Sequence, residues 1–292
     1  MAKYSIWVLE YCRMEDLPVS AVVYGAHNRG ILRLPFCYTL IKGPNFAALV
    51  DVGYNDADYG RVLTENFRIK NWRSPQSVLA EVGLTPDEIT HVFITHAHFD
   101  HMGGTDLFPK AKFHIQEREL SKWVWAMSLG RKFRWLTEVV DPGDIIRVVD
   151  LARQGRLVCV DGASEDVLPF IDLHPAHETH TPGSQYVVIR NDGKRESADT
   201  WVLAGDLIYQ FENLHGNNPA DPYYVPVGLA SGSQTNLIFA VDEMIKRVGG
   251  ETRRVIPAHE DGLKDVFPSR IAKNGLRITE IALADGERSC VR

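Results

Sequence analysis

The sequence predicts an α/β protein with two sheets sandwiched between helices, and three observations lead there. Short apolar and β-branched runs recur in both halves of the chain. Segments with helical signals follow each group of them, the pattern of sheets that bury their faces against helices. No tandem repeat and no linker-like stretch interrupts the 292 residues, so residues 1–292 are expected to form a single domain. A chain of this length buries roughly 75% of its unfolded surface, enough for one large core. The 10% aromatic content and the lack of low-complexity runs exclude intrinsic disorder.

Taken in order, residues 6–9 read as a strand. Residues 36–41 and 46–52, separated by Gly43-Pro44-Asn45, read as a hairpin whose second strand ends at Asp51-Val52-Gly53. Residues 77–81 look helical and stop at Gly83. Thr85, Pro86, Asp87 and Glu88 then carry the cap and acidic first turn of a short helix. Residues 91–95 read as a buried strand running straight into His96-Ala97-His98-Phe99-Asp100-His101-Met102-Gly103-Gly104. A strand at 112–115 and a helix at 116–129 follow, with a continuation to Trp135 that holds Trp123, Trp125, Phe133 and Trp135.

In the second half, residues 156–160, 171–173, 185–190 and 200–204 read as strands. Residues 191–197 form a polar hairpin tip, and 213–224 a long loop rich in Asn, Pro and Gly. A helix at 237–248 ends at Gly249-Gly250. Residues 254–256 are expected to be the last core strand, stopped by Pro257 just before His259.

Charge and cysteine usage narrow the function. Thirty-two Lys and Arg against 38 Asp and Glu give a net charge of −6, and no run of four basic residues occurs. A nucleic-acid partner is therefore not expected. The N-terminus lacks the long apolar stretch of a secretory signal, and no segment approaches a membrane span, so no membrane partner is expected. Cys12, Cys37, Cys159 and Cys290 form no C-x-x-C pair and read as reduced thiols, which points to the cytoplasm.

His96-x-His98-x-Asp100-His101 is the most informative stretch. On a loop leaving a strand, residues i and i+2 can converge on one metal while i+4 and i+5 turn toward a second. Imidazole and carboxylate together suit a borderline ion such as zinc. Gly103-Gly104 is expected to permit the tight backbone that such a loop needs. Three later residues can complete the set: His180 before a strand, Asp206 after residues 201–205, and His259 after residues 255–258. All three sit at strand ends, where metal and substrate sites concentrate in layered α/β proteins.

This ordered set resembles the metallo-β-lactamase superfamily, from about Tyr4 to Phe267. The resemblance implies an αββα sandwich with two mixed sheets between helices. It implies His96, His98 and His180 as ligands of one metal, Asp100, His101 and His259 as ligands of the other, and Asp206 as the bridging carboxylate. The implied cofactor is two zinc ions, with iron, manganese or cobalt also compatible with the ligand types. His177 rivals His180, but His180 is followed by Thr181-Pro182-Gly183-Ser184 as the family's metal histidine commonly is. His177 reads instead as a neighbour of the site or a solvated loop residue. His27, His91, His114, His174 and His215 read as structural or solvated. Asp51 reads either as a support that orients a ligand histidine, as an Asp at this strand end does in the family, or as a turn former.

Within the superfamily the chain is similar to the N-acyl homoserine lactonase branch. Tyr209, three residues after Asp206, stands where that branch has a tyrosine that helps stabilise the reacting carbonyl. Residues 34–38 and 50–53 resemble its N-terminal hairpin, and Pro257-Ala258-His259 with Val266-Phe267-Pro268 resembles its C-terminal end. Residues 211–224 and 123–135 depart from it. The Trp-rich segment reads as a helix face packed in the core or at a dimer interface. Its rival role is to line or cover a pocket for a bulky or aromatic small molecule.

The resemblance implies a metal-dependent hydrolase that opens a lactone, or a related cyclic ester or amide, by attack of a metal-bridging hydroxide. Tyr209 would donate to the developing oxyanion, and Asp100 would pass a proton to the leaving oxygen. Two other readings stay open. The same site could act on a thioester, an aromatic ester or an amide, or it could be an iron-dependent dioxygenase. A di-iron oxidoreductase normally has Glu where His98 stands. A non-enzymatic binding protein would not need all seven ligand types.

Overall fold

The computed structural model of the chain describes residues 1–218 and 220–292. Among these residues, thirteen strands form two mixed sheets. The larger contains β1 (Ser5–Pro18), β2 (Ile31–Lys42), β3 (Ala47–Val50), β4 (Ile89–Phe93), β5 (Lys112–Gln116) and β6 (Leu157–Val160). Two late strands, β12 (Ser269–Ile271) and β13 (Arg277–Ala282), complete it in the order β12-β13-β1-β2-β3-β4-β5-β6. The smaller holds β7 (Ser164–Leu168), β8 (Ile171–Pro175), β9 (Gln185–Arg190), β10 (Thr200–Leu203) and β11 (Val255–Ile256), in the order β11-β10-β9-β8-β7. Pairs β3–β4, β4–β5, β5–β6 and β10–β11 are parallel; the others are antiparallel.

Side-chain alternation builds the layers. Successive residues of a strand point to opposite faces, so a strand buried on both faces is apolar throughout. On β1, Ile6 and Val8 enter the core between the sheets, whereas Trp7 and Leu9 enter the core under the helices. On β9, Val187 and Ile189 face the other sheet while Tyr186 and Val188 face helices. Apolar layers therefore lie between the two sheets and between each sheet and its helices, the αββα sandwich that the resemblance implied.

Several elements differ from the sequence expectations. The first strand runs on to Pro18, because Glu10, which reads as a surface charge, is buried and paired with Arg33 while accepting a bond from the Arg277 amide at 3.0 Å. The strand expected at 254–256 is only Val255–Ile256, after a 3₁₀ turn at Thr252–Arg254, and it is not the last. β12 and β13 follow and complete the edge of the larger sheet beside β1. Helices at Asp58–Asn66 and Pro142–Arg153, and strand β7, are further elements that the sequence expectations do not include, although Asp141 as a cap before Pro142 is a signal for the second helix. β7 is a half-exposed edge strand without apolar alternation. The helix at Glu117–Met127 matches the expectation, but the segment to Trp135 belongs to a separate 3₁₀ turn at Arg131–Thr137. The loop expected at 213–224 begins within a short helix at Glu212–His215, and its position 219 lies outside the described residues.

Among the described residues, no helix is long and apolar enough to cross a membrane.

Candidate metal centre

The carboxyl ends of β3, β4, β10 and β11 share one rim with the β8–β9 connection, and this rim carries the candidate residues. β3 ends at Asp51 and β4 delivers residues 94–98 into the short helix Phe99–Met102, which holds Asp100 and His101. The β8–β9 connection supplies His180, the 3₁₀ turn after β10 supplies Asp206, and the segment after β11 supplies His259. Gly103 and Gly104 have ordinary negative φ, so the loop needs no left-handed backbone there. A side chain on Gly104 would instead lie 2.4 Å from the Val52 carbonyl, so close packing is the reason for glycine. Gly205 does adopt φ +55°, and a Cβ there would meet Thr95 at 2.7 Å.

Two groups of ligand-capable atoms result. His96, His98, His180 and Asp206 form one, and Asp100, His101 and His259 the other, with the atoms of each group within 4.8 Å of one another. All seven residues are at most 8% exposed. Asp206 faces both groups. Its Oδ2 lies 3.7 Å from His96 Nε2 and 3.4 Å from His180 Nε2, while Oδ1 lies 3.1 Å from both His101 Nε2 and His259 Nε2. His177 stands outside both groups, its Nε2 3.3 Å from Gln116 Oε1.

On four of the five histidines the other ring nitrogen is committed elsewhere. His180 Nδ1 donates to the Leu229 carbonyl (2.7 Å), His259 Nδ1 to the Pro35 carbonyl (2.8 Å) and His101 Nδ1 to Asp51 (2.7 Å). His96 Nδ1 donates to Thr95 Oγ1 (3.0 Å), whose own proton goes to Asp51 (2.8 Å). Four imidazoles therefore turn Nε2 toward the centre, and on His96 and His101 it is bare of any hydrogen-bond partner. Asp51 also accepts from the Thr95 amide (2.7 Å) and holds a left-handed φ of 64°, strain of the kind stored at functional sites.

These bare atoms test whether the site suits a metal. His96 Nε2, His101 Nε2 and Asp206 Oδ1 are buried without a hydrogen-bond partner. His101 Nε2 and Asp206 Oδ1 lie close, yet not aligned as donor and acceptor. Buried polar atoms normally find partners, and a cation satisfies several lone pairs at once. The chemistry of the set agrees. Burial, with His180 beside it, pushes His98 down to about 3, and burial and neighbouring histidines hold His96 well below its ordinary value. Both therefore stay neutral and ready to ligate. Burial alone would raise Asp206, but His101 and His259, which the neighbouring carboxylates push up in turn, reverse it and keep the carboxylate ionised.

Above this floor lies a cavity of about 240 Å³. His98, Asp100, Asp206, Tyr209 and His259 form its base, and apolar side chains including Leu34, Phe36, Phe67, Trp123, Trp135 and Val139 form its wall. The Trp-rich segment is thus divided. Trp123 is buried and lines the cavity, Trp135 lines its mouth while 63% exposed, and Trp125 and Phe133 face outward. Tyr209 stacks on His259 with ring centroids 5.0 Å apart. Burial, then Asp206 nearby, raises its hydroxyl well above the usual value, so it remains a donor.

Two supporting residues had no readable signal. Asn213 accepts from the Tyr209 and Gln210 amides and donates to the Val22 and Val225 carbonyls, which pins the turn that carries Tyr209. Glu119, fully buried, lies behind His98; in sequence it reads as an ordinary acidic residue in a helix's first turn.

The chain belongs to the metallo-beta-lactamase superfamily, whose family signature matches residues 37–259. It is similar to an N-acyl homoserine lactonase of Bacillus sp., 24% identical over 258 residues that cover 82% of this chain and 88% of that one. An N-acyl homoserine lactonase of Bacillus thuringiensis is 24% identical over 217 residues, covering 69% and 75%. Among solved structures, an N-acyl homoserine lactone hydrolase with N-hexanoyl-L-homoserine at its catalytic metal centre superimposes with a TM-score of 0.65 at 19% identity, covering 91% of this chain and 97% of that one. The dizinc quorum-quenching lactonase AidC superimposes with a TM-score of 0.63 at 16% identity, covering 97% and 96%.

Proposed function

We propose that the protein is a dinuclear zinc hydrolase that opens a lactone or related cyclic ester. The convergence of seven buried ligand-capable side chains beneath an apolar cavity, with Tyr209 beside them, carries this reading. His96, His98 and His180 would hold one ion and Asp100, His101 and His259 the other, with one Asp206 oxygen for each. Two bound ions would supply a Lewis acid for the carbonyl and a water that ionises near neutral pH.

The chain's own residues do the rest. The apolar wall takes the substituent of the substrate and excludes water, which favours an uncharged molecule with a bulky or aromatic group. The Tyr209 hydroxyl donates to the carbonyl oxygen as negative charge develops there. Asp100, whose carboxylate borders the cavity, would take the proton from the water oxygen that has added to the carbonyl and pass it to the ring oxygen as the C–O bond breaks. The lactonase relatives support the lactone as substrate class. A cytoplasmic setting belongs to the same proposal, with support from four unpaired cysteines.

Ring opening releases a carboxylic acid, so turnover acidifies a weak buffer. Zinc-loaded protein is tested against acyl homoserine lactones and bulky aromatic lactones, with His96→Ala as the blank. Acid release that depends on metal supports the reading. Silence across the panel with metal bound rejects lactone opening and moves the search to other esters, amides and iron chemistry.

A further inference from the structure

Glu119 has 0% exposure and sits in a cage made only of donors. Its Oε1 accepts from the Ala97 amide at 2.8 Å and from Trp123 Nε1 at 2.7 Å. Its Oε2 accepts from Thr181 Oγ1 at 2.8 Å and from the Gly183 amide at 2.6 Å. Ala97 lies between His96 and His98, and Thr181 directly follows His180. One carboxylate therefore joins the two loops that meet where His98 Nδ1 lies 3.1 Å from His180 Nε2. The fit is close, since a Cβ on Gly183 would lie 2.2 Å from the Glu119 amide nitrogen.

The donor count explains why the residue is Glu rather than Gln. Two backbone amides and an indole can only donate, and a carboxylate can only accept. Gln would turn its NH₂ toward two of the four donors, and a buried charge removed from such a cage leaves unpaired N–H groups. Trp123 adds a further link, because its indole lines the cavity with its ring 6.0 Å from that of His98.

We propose that Glu119 is a positioning residue that clasps the 96–101 loop to the 180–184 loop and sets the approach of His96 and His98 to His180. The metal-binding part of the proposed function underlies this inference. Groups that orient metal ligands without touching the metal typically change affinity 10- to 100-fold when replaced.

The test titrates metal-free protein with Zn²⁺ against a chromophoric chelator and records the visible spectrum of the Co²⁺-loaded form. Wild type takes up two equivalents. Glu119→Gln weakens one of them by about 10- to 100-fold and shifts its Co²⁺ absorption, while the other stays within about threefold. Thr181→Val, which removes one donor and keeps the carboxylate, weakens the same equivalent by a smaller factor. A folded Glu119→Gln protein with both affinities and the Co²⁺ spectrum unchanged overturns the proposal, even where its melting temperature falls. If that variant does not fold, unchanged affinities in Thr181→Val overturn it instead. Wild type that binds no metal overturns the metal reading and this one together, whereas failure of Glu119 alone leaves the metal reading standing.

Discussion

The floor and the wall of the cavity are built on different terms. Four of the five floor imidazoles are directed by a partner on their second nitrogen, such as Asp51 for His101 or the Leu229 carbonyl for His180. Hydrogen bonds have direction, so these positions tolerate little error. The wall consists of apolar groups such as Leu34, Phe36, Phe67 and Trp135, in contacts that are individually weak and non-directional. On the proposed function, chemistry and substrate choice would thus lie on separate parts of the molecule. Changes to the floor should remove activity, and changes to the wall should redirect it.

Asp206→Ala gives the sharpest test, because it removes the one side chain that faces both groups. Metal content should fall by at least one equivalent and turnover should drop to background, measured by elemental analysis beside the acid-release assay. Retention of two equivalents and of turnover would break the distinction. Tyr209→Phe should lower kcat roughly 10²-fold, the effect of one oxyanion donor, with both metals retained. Equal kcat values would mean that the tyrosine only packs on His259.

At the wall, Trp135→Ala should raise KM by about fivefold for bulky substrates, as expected from part of an aromatic surface, with kcat little changed. A larger fall in kcat than in affinity would mean that wall and floor are coupled.

The smallest effect concerns the packing behind the floor, where the Asp144 carboxylate sits against Gly103. Burial and the neighbouring Asp141 push Asp144 up to about 7, against the pull of Arg147. The folded state then holds a proton that the unfolded chain has released above its ordinary value of 3.8. Stability from this group is full below the unfolded value and is lost as pH rises toward 7. Asp144→Asn should therefore gain on wild type between about pH 4 and 7, by at most about 1.4 kcal/mol per unit, in urea unfolding. A constant difference across that range would refute the shift.

Much of the floor was legible because its ligands are concentrated. Four lie within His96–His101, and Asp206 and His259 each follow a short apolar run that reads as a strand. Local spacing and strand ends are properties of a continuous stretch of chain, so one sequence reveals them. The two-sheet architecture follows in the same way from short apolar strands in both halves, buried on two faces.

Other features depended on partners far away in sequence. Glu10 looks like a surface charge until Arg33 and the Arg277 amide are beside it. Glu119 looks like a helix-dipole charge until residues 97, 181 and 183 surround it. The Trp segment reads as one unit, yet a break between two helical pieces points Trp123 and Trp135 at the cavity and Trp125 outward. The sequence by itself determined which groups can bind a metal and where strands place them. Only the tertiary structure decided which Asp206 oxygen faces which group, and which buried charges hold the loops, because a hydrogen bond needs both partners in place before either can be assigned a role.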